Sequence, residues 1–242
     1  RQKGTTVDLI YHGTPAQAHF REDSVIDQMM QLADEGAIRK LGFVKGGLCE
    51  FFRGLGYRAE FVMNFVRMPL LPTNSRPGPD GRLHIGVFAP NISHKNVETQ
   101  ILAALMIPDA VVHVCEMPPM VYLRRRDRIV VHGIRPHAEF IKLLATMHAT
   151  LYVSLVECYP MTVLESLAMG VVCLTSHSSM LFDSAPDLFR ELVVTDHDNP
   201  HAIARKLSAA LDRRAELVPR AQEHLGRLNA LAERRWQEFL AE

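Results

Sequence analysis

The sequence lacks an excess of charge of either sign, paired-cysteine motifs, and any apolar run of the ~20 residues that a membrane-spanning helix needs. Its 242 residues include 27 Lys and Arg against 27 Asp and Glu, which argues against a general electrostatic grip on nucleic acid. The cysteines have no CxxC spacing, so we expect reduced thiols in the core. We also expect no secretory signal, and these absences together favour a cytoplasmic protein.

Several catalytic and metal-binding patterns are missing as well. The chain has no phosphate-loop lysine motif, HExxH, GxSxG or GxGxxG. The chain has twelve histidines, but the stretches "HGIRPH" and "THS" do not have metal-ligand spacing, and we predict no metal site. His84, His113 and His148 fall within predicted elements, and we interpret them as packing or surface residues. The chain opens on Arg1 rather than on Met, as expected of a fragment or a processed product.

Short apolar runs that alternate with helical patterns make up most of the sequence. Runs such as "LHIGVFAP" and "VVCLTS" are continuous rather than alternating, which indicates strands buried on both faces. Helical patterns separate these runs, and no period of about 20–50 residues is repeated. The sequence therefore predicts an α/β fold with a doubly wound, Rossmann-like parallel sheet.

A segment rich in Pro, Gly, Asn and Ser, residues 67–82, divides the chain. We predict that residues 1–70 are the end of an incomplete first domain, followed by a linker to about residue 82. Residues 83–212 are predicted to form a second domain of the same kind. Residues 213–242 are predicted to form a charged amphipathic helix. We expect its polar face to be solvated; the alternative is that the helix contacts a membrane surface.

Capping signals predict where several helices begin. We expect a cap at Asp23 or Ser24, another at Ser93, and a third at Asn199. Lys95 then falls in the first turn of its helix, where a cation is unfavourable for the helix dipole. Either Lys95 faces solvent or it binds an anion.

Ligands of an open parallel sheet bind beyond the carboxyl ends of its strands, where helix N-termini also favour anionic groups. The candidate site residues are therefore those that directly follow a predicted strand: His12, Gly13, Thr14, Asn64, the loop 90–95, Glu116, His132, Gly133, and the segments 157–162 and 175–179. This set contains carboxylates, a lysine, histidines and small hydroxylated residues.

Two glutamates in the stretch "SLVECYPMTVLESLAMG" are separated by seven residues. Glu157 directly follows a predicted strand and is expected to face the crevice. Glu165 has two interpretations. Together with Thr162 it matches the capping box S/T-x-x-E, in which the glutamate returns to the helix start. Alternatively, it is part of a binding site.

The stretch around these glutamates resembles the nucleotide-sugar-binding domain of GT-B glycosyltransferases, in particular the retaining family 4 group. The family signature is a strand, E-x7-E, a helix ending in a small residue, Met or Cys, and Gly, and a short apolar strand; here it is "YVSLVECYPMTVLESLAMGVVCLTS". "IGVFAPNISHKNVETQILAA" resembles the family's first strand, lysine-bearing loop and helix, and "VDLIYHGTP" resembles a late strand of the N-terminal domain. The resemblance covers roughly residues 6–212.

The resemblance implies transfer of a sugar from a nucleotide-diphosphate-sugar donor, with retention and without a metal or other cofactor. Glu165 matches the glutamate that holds the ribose hydroxyls, and Glu157 the one that reaches the donor sugar. Lys95 matches the lysine that holds the diphosphate, and His12 the histidine near the reacting centre. This chemistry is reasonable, because a carboxylate accepts from a vicinal diol and a lysine stabilises a leaving diphosphate.

From the same strand-end loops we assign Asn91, Gly133 and Thr162 to donor binding. The donor base, the donor sugar and the acceptor, whether glycan, lipid or protein, are not defined by the sequence. Base selectivity is expected to depend on the loop 133–136.

The sequence also departs from the family pattern. It has no Gly-Arg pair after the first strand of the second domain, and Cys-Tyr-Pro follows Glu157 where the family has Gly-Phe-Gly. Pro160 has no N–H to offer to an anion. The family's Gly-Gly pair is replaced by "SHSSM", whose Ser176, Ser178 and Ser179 still offer hydroxyls. Two alternatives therefore stay open: a GT-B-like nucleotide-sugar-binding or scaffold protein with impaired catalysis, and a sugar-nucleotide epimerase on the same fold.

Overall fold

A computed structural model describes residues 7–18, 25–67, 80–120, 122–123 and 126–241. The expected cap at Asp23 or Ser24 and most of the predicted linker, residues 68–79, lie outside the described residues. By their contacts the residues form two compact units. The first contains Arg1–Phe65, Val156–Tyr159 and Leu228–Glu242, and the second contains Val66–Leu155 and Pro160–Arg227. The chain thus returns twice to the first unit, a pattern that the consecutive ranges predicted from the sequence do not include.

The first unit contains a parallel sheet in the order β1-β2-β3 among its described residues. Its elements are β1 (Val7–Tyr11), α1 (Pro15–Ala18), α2 (Val25–Asp34), β2 (Ile38–Phe43), α3 (Gly46–Gly54) and β3 (Ala59–Phe61). The rings of Phe43 on β2 and Phe52 on α3 stack with centroids 4.8 Å apart. Both rings are almost fully buried, so this pair anchors α3 on the sheet.

The second unit contains a parallel sheet in the order β6-β5-β4-β7-β8-β9. Its strands are β4 (His84–Val87), β5 (Val111–Val114), β6 (Ile129–Val131), β7 (Ala149–Tyr152), β8 (Val172–Ser176) and β9 (Val193–Val194). Its helices are α4 (Val97–Leu105), α5 (His137–Leu144), α6 (Met161–Ala168), α7 (Pro186–Leu192) and α8 (Pro200–Asp212), and short 3-10 turns lie at Ser93–Lys95, Arg126–Arg128 and His177–Ser179. The predicted doubly wound parallel fold is confirmed.

The strand order reverses between β4 and β7. After β4 the chain builds β5 and β6 on one side, and it then crosses to β7 and builds β8 and β9 on the other. Doubly wound sheets bind ligands at such a switch point, outside the carboxyl ends of the strands. The loops that follow β4 and β7 are therefore the first place to look for a site.

Two capping predictions have different outcomes, and one helix was not predicted. Asn199 caps α8 as predicted, because its side-chain oxygen accepts from the N–H groups of His201 and Ala202. The predicted cap at Ser93 is wrong, since Ser93 begins a 3-10 turn and α4 begins only at Val97. Helix α7 was not predicted, because its seven residues are too few for a clear apolar period.

The C-terminal residues form one long helix, α9 (Arg214–Leu240), which confirms the predicted amphipathic helix. A buried apolar stripe runs through Leu217, Ala221 and Leu225, while Arg220 and Arg227 pair with acidic residues one turn away on the exposed side. These pairs, one helical turn apart, are typical of a solvated helix surface. Among the helices described, none has both the length and the apolar character required to cross a membrane.

Candidate functional site

The loops after β4 and β7 are tied together at the switch point. The backbone N–H of Leu155 donates to the His94 carbonyl (2.8 Å), and Asn96 Nδ2 donates to the Val153 carbonyl (3.1 Å). Asn96 has a left-handed backbone (φ 54°), a conformation that asparagine tolerates better than most residues. This backbone geometry turns the chain from the 3-10 turn into α4 and presents the preceding lysine to the sheet edge.

A buried glutamine holds the same two loops from the α4 side. Gln100 is fully buried; its Nε2 donates to the Lys95 carbonyl (2.7 Å), and its Oε1 accepts from the Val153 N–H (2.8 Å). A single side chain thus satisfies a backbone acceptor and a backbone donor on opposite sides of the switch point. Sequence reasoning missed Gln100, although a lone amide at an apolar helix position is a usable signal for such a role.

Lys95 lies in the short turn before α4 rather than in the first turn of the helix, which corrects the predicted position. It is buried, and its Nζ lies 5.2 Å from the centroid of the Tyr152 ring on β7. The solvent-facing interpretation of Lys95 is therefore wrong. A cation held over an aromatic face at the switch point is suitably placed to meet an anion, which is the interpretation that remains.

The neighbouring loops bring further candidates to the same edge of the sheet. Asn91 is exposed, and its N–H makes a long contact of 3.5 Å with Glu116 Oε2 in the loop after β5. Gly133, in the loop after β6, has φ +70°, and its N–H donates to the Cys115 carbonyl. Glycine is the residue that adopts this conformation without strain, so the position explains the residue type.

The capping-box interpretation of Glu165 is wrong. Pro160 occupies the position before α6, no side chain caps this helix, and Thr162 lies within the first turn. The Glu165 carboxylate is buried, and its Oε1 lies 2.7 Å from Nε2 of His137, the first residue of α5. Within the described residues, no other side chain is hydrogen-bonded to this carboxylate. Glu165 thus turns toward a neighbouring helix, and sequence reasoning missed its partner His137.

The serines of the loop after β8 are partly committed to the protein. Ser179 is buried, and its hydroxyl donates to the Ser176 carbonyl (2.9 Å). The hydroxyls of Ser176 and Ser178 lie 2.8 Å apart. Ser178 is the most accessible of the three, so it is the serine best placed to meet a ligand.

Several candidates belong to the first unit, among them His12, Glu157 and Asn64. His12 directly follows β1 and its side chain is exposed, yet desolvation by the surrounding protein lowers its pKa, so its imidazole is neutral at pH 7. Glu157 is buried, and its backbone carbonyl accepts from Lys45 Nζ (3.0 Å). Asn64 Nδ2 donates to the Tyr159 carbonyl (2.7 Å) in the same segment. Lys45 and Asn64 therefore hold the backbone on either side of Cys158.

The described cysteines do not form a reactive centre, and the described side chains do not form a metal site. All four cysteines are free thiols, as predicted, and burial raises the pKa of Cys173 to about 12, so this thiol is not a nucleophile at pH 7. Within the described parts of the chain, no cluster of three or more His, Cys, Asp or Glu side chains is arranged to hold a metal ion.

Residues 122–226 match the family described as Glycosyl transferases group 1. No curated protein matches the chain. Among solved structures, sucrose-phosphate synthase from Thermosynechococcus elongatus is 15% identical with a TM-score of 0.68; the match covers 96% of this chain and 66% of that one.

Two other structures contain nucleotide ligands. A mutant of S. aureus TarM in complex with Fondaparinux, alpha-GlcNAc-glycerol and UDP is 11% identical with a TM-score of 0.73, over 96% of this chain and 50% of that one. The E. coli trehalose-6-phosphate structure with bound UDP-2-fluoro glucose is 12% identical with a TM-score of 0.66. This match covers 96% of this chain and 67% of that one.

The chain spans from half to about two thirds of the length of these structures. At such low identity the likeness shows a shared fold, and the sequence match adds the family pattern in the segment that contains Glu165. Together they confirm the resemblance: the chain is an α/β protein of the GT-B type whose residues 122–226 carry the pattern of the group 1 glycosyl transferases.

Proposed function

We propose that this chain contains the donor-binding part of a cytoplasmic glycosyltransferase that transfers a sugar from a nucleotide-diphosphate-sugar donor with retention of configuration. The observation that carries the proposal is the Glu165 carboxylate, which is buried at the carboxyl edge of the second sheet and held by His137 rather than by its own helix. A carboxylate fixed in this way has an oriented oxygen for the two hydroxyls of a ribose.

Lys95 is proposed to bind the donor diphosphate. Its position over Tyr152 at the switch point supports this role, because the leaving diphosphate gains negative charge as the glycosidic bond breaks. Asn91 and Gly133, from loops of the second unit, and Thr162, from the first turn of α6, are proposed to line the donor site. Since Lys95 supplies the counter-charge, the proposed reaction needs no metal ion.

Glu157 and His12 of the first unit are proposed to act on the donor sugar, Glu157 by contacting it and His12 near the reacting centre. Two observations support these roles. The Glu157 backbone is fixed by Lys45, and the lowered pKa of His12 keeps its imidazole neutral and able to accept a hydrogen bond. The acceptor is proposed to be a glycan, a lipid or a protein.

A thermal-shift screen of nucleoside diphosphates in EDTA tests donor binding. UDP is the first probe, since two proteins of this fold have been crystallised with UDP or a UDP-sugar. A ligand that binds only the native state stabilises it by about 2.7 kcal/mol at a hundredfold excess over its Kd. We expect a clear rise in Tm with one of the nucleoside diphosphates. No rise with any of them at millimolar concentration would contradict the proposal.

Impaired catalysis is the second candidate, and a specific observation favours it. Pro160 occupies the N-cap position of α6, where it offers no N–H to a diphosphate. A radiolabelled nucleotide-sugar separates the candidates. Label that moves to an acceptor supports transfer, label retained on an isomerised nucleotide-sugar indicates an epimerase, and binding without any product indicates an impaired protein.

A further inference from the structure

Three histidines and an aspartate form a hydrogen-bonded chain across the second sheet, which we call the histidine relay (Asp80, His84, His113 and His132). His84 Nε2 lies 3.0 Å from Asp80 Oδ1, and His84 Nδ1 lies 2.8 Å from His113 Nε2. His113 Nδ1 in turn lies 2.8 Å from His132 Nε2. These distances correct the interpretation of His84 and His113 as ordinary packing or surface residues.

Strand register explains why the relay crosses the sheet diagonally. On β4, the residue that pairs with His113 is Gly86, which lies two residues after His84. On β6, the residue that pairs with His113 is Val130, which lies two residues before His132. Residues two apart on a strand share a face, so the three rings lie on the same face and advance along it by two residues per strand. The relay thus runs from the amino end of β4 to the loop after β6, where Gly133 follows.

The anchoring carboxylate sets the direction of the hydrogen bonds. Asp80 also accepts from the Arg82 N–H, and its bond to His84 lowers the pKa of the Asp80 carboxyl, so Asp80 is ionised and only accepts. His84 must then donate from Nε2. A neutral His84 then accepts at Nδ1, so His113 donates to it from Nε2. A neutral His113 in turn accepts at Nδ1, so His132 donates to it from Nε2. The neutral relay therefore leaves Nδ1 of His132 as an acceptor.

One added proton turns Nδ1 of His132 from an acceptor into a donor, whichever of the three rings carries the positive charge. A doubly protonated ring donates from both of its nitrogens. The next ring toward His132 must then accept at Nε2, so its own hydrogen lies on Nδ1, and the same holds for every later ring. If the charge is on His132 itself, Nδ1 is protonated directly. In every case Nδ1 of His132 carries a hydrogen and becomes a donor.

The inner rings disfavour the added charge. Burial lowers the pKa of His113 to about 4, and desolvation together with Arg135 lowers the pKa of His132. At the opposite end of the relay lies the exposed Asp80 carboxylate, 3.0 Å from His84 Nε2. His148 also faces His84, but its Nδ1 already accepts from the His84 backbone N–H (3.0 Å). Phe88 packs edge-on against His132 and adds no titratable group.

We propose that the histidine relay determines which nucleotide group is recognised beside Gly133: the neutral relay presents an acceptor at His132 to a donating group of the nucleoside, such as an imide N–H or a ribose hydroxyl. Proton uptake by the relay converts this acceptor into a donor and weakens binding. The inference rests on the proposed donor site, and it adds a specificity-determining residue, His132, and a pH response of the relay that ends there.

Nitrogen-15 NMR of histidine-labelled protein without ligand tests the relay independently of donor binding. At pH 8 the wild type is expected to show His84, His113 and His132 as Nε2–H tautomers. Asp80→Asn should produce a mixture at His132, because an amide can either donate or accept. Asp109→Asn, an exposed carboxylate at the amino end of the neighbouring strand β5, is the control and should leave the tautomers unchanged. Wild-type tautomers in Asp80→Asn, or an Nδ1–H tautomer of His132 in the wild type at pH 8, would overturn the relay.

Calorimetry with UDP then tests the link to recognition. In the wild type, the affinity for UDP is expected to fall by up to about tenfold per pH unit below the midpoint of proton uptake. The reason is that one proton must leave the relay before UDP binds. His84→Gln, which cuts the relay at its first ring, should remove most of this dependence. An identical pH profile in His84→Gln would overturn the role of the relay in recognition. A relay with the expected tautomers in a protein that binds no nucleotide would instead contradict the proposed function.

Discussion

His137 Nε2 lies 2.7 Å from Glu165 Oε1, and this bond links the start of α5 to the middle of α6 across the carboxyl edge of the second sheet. His137 is largely exposed while the Glu165 side chain is 8% exposed. An accessible ring thus orients a buried carboxylate.

His137→Ala is expected to raise the Kd for UDP by roughly three- to tenfold, because a hydrogen bond to a charged group contributes about 1 kcal/mol or more. His137→Gln, which keeps a donor, should restore part of the affinity. His201→Ala removes an exposed imidazole at the start of α8 and serves as the control. Equal affinities for the alanine variant and the wild type would show that His137 does not position Glu165 for binding.

Gln100→Leu is expected to lower the free energy of unfolding by at least about 2 kcal/mol, because the Lys95 carbonyl and the Val153 N–H both lose a buried partner. Urea denaturation measures the change from the shift in midpoint. Thr99→Ala, one residue away on α4, is the control. A Gln100→Leu protein as stable as the control would contradict the role of Gln100 in joining the two loops.

Lys95→Met is expected to lower kcat by about a hundredfold, the scale typical of a lost group that stabilises developing charge. The lysine lies at the switch point, so the effect should exceed that of Lys142→Met, an exposed lysine on α5. Initial rates of sugar transfer at saturating donor measure it. A kcat unchanged from wild type would remove Lys95 from the proposed reaction.

Stability is expected to fall in acid because of His113. The folded-state pKa of His113, about 4, is below the ordinary value of 6.5, so its neutral ring contributes fully to the free energy of unfolding above pH 6.5. That contribution is lost as the pH falls from 6.5 toward 4, by as much as about 3 kcal/mol. Urea midpoints across this range should fall in the wild type and change less in His113→Gln. Parallel profiles for the two proteins would contradict this assignment.

Local signals were sufficient to predict the alternation of strands and helices, the cap at Asn199 and the residues at strand ends. They misplaced the start of α4, because the left-handed backbone of Asn96 separates the 3-10 turn from the helix. The capping box at Thr162 and Glu165 is also absent, since α6 begins earlier and Glu165 pairs with His137.

The remaining contacts depend on strand order, which an apolar period does not encode. His84, His113 and His132 meet because β4, β5 and β6 are neighbours in that register. Gln100 meets Val153 because β7 returns beside β4. The roles of Glu157, His12, Lys95, Asn91, Gly133, Thr162 and Glu165 in donor binding and catalysis stay predictions.

Isothermal titration calorimetry of UDP with Glu165→Ala, Glu165→Gln and the control Glu139→Ala tests the central claim most directly. Glu139 lies on α5 close to His137, but its carboxylate is mostly exposed. Loss of charge-assisted hydrogen bonds to the ribose should weaken binding at least tenfold in both Glu165 variants, and Glu139→Ala should bind like the wild type. Wild-type affinity in a folded Glu165→Ala protein would contradict the account.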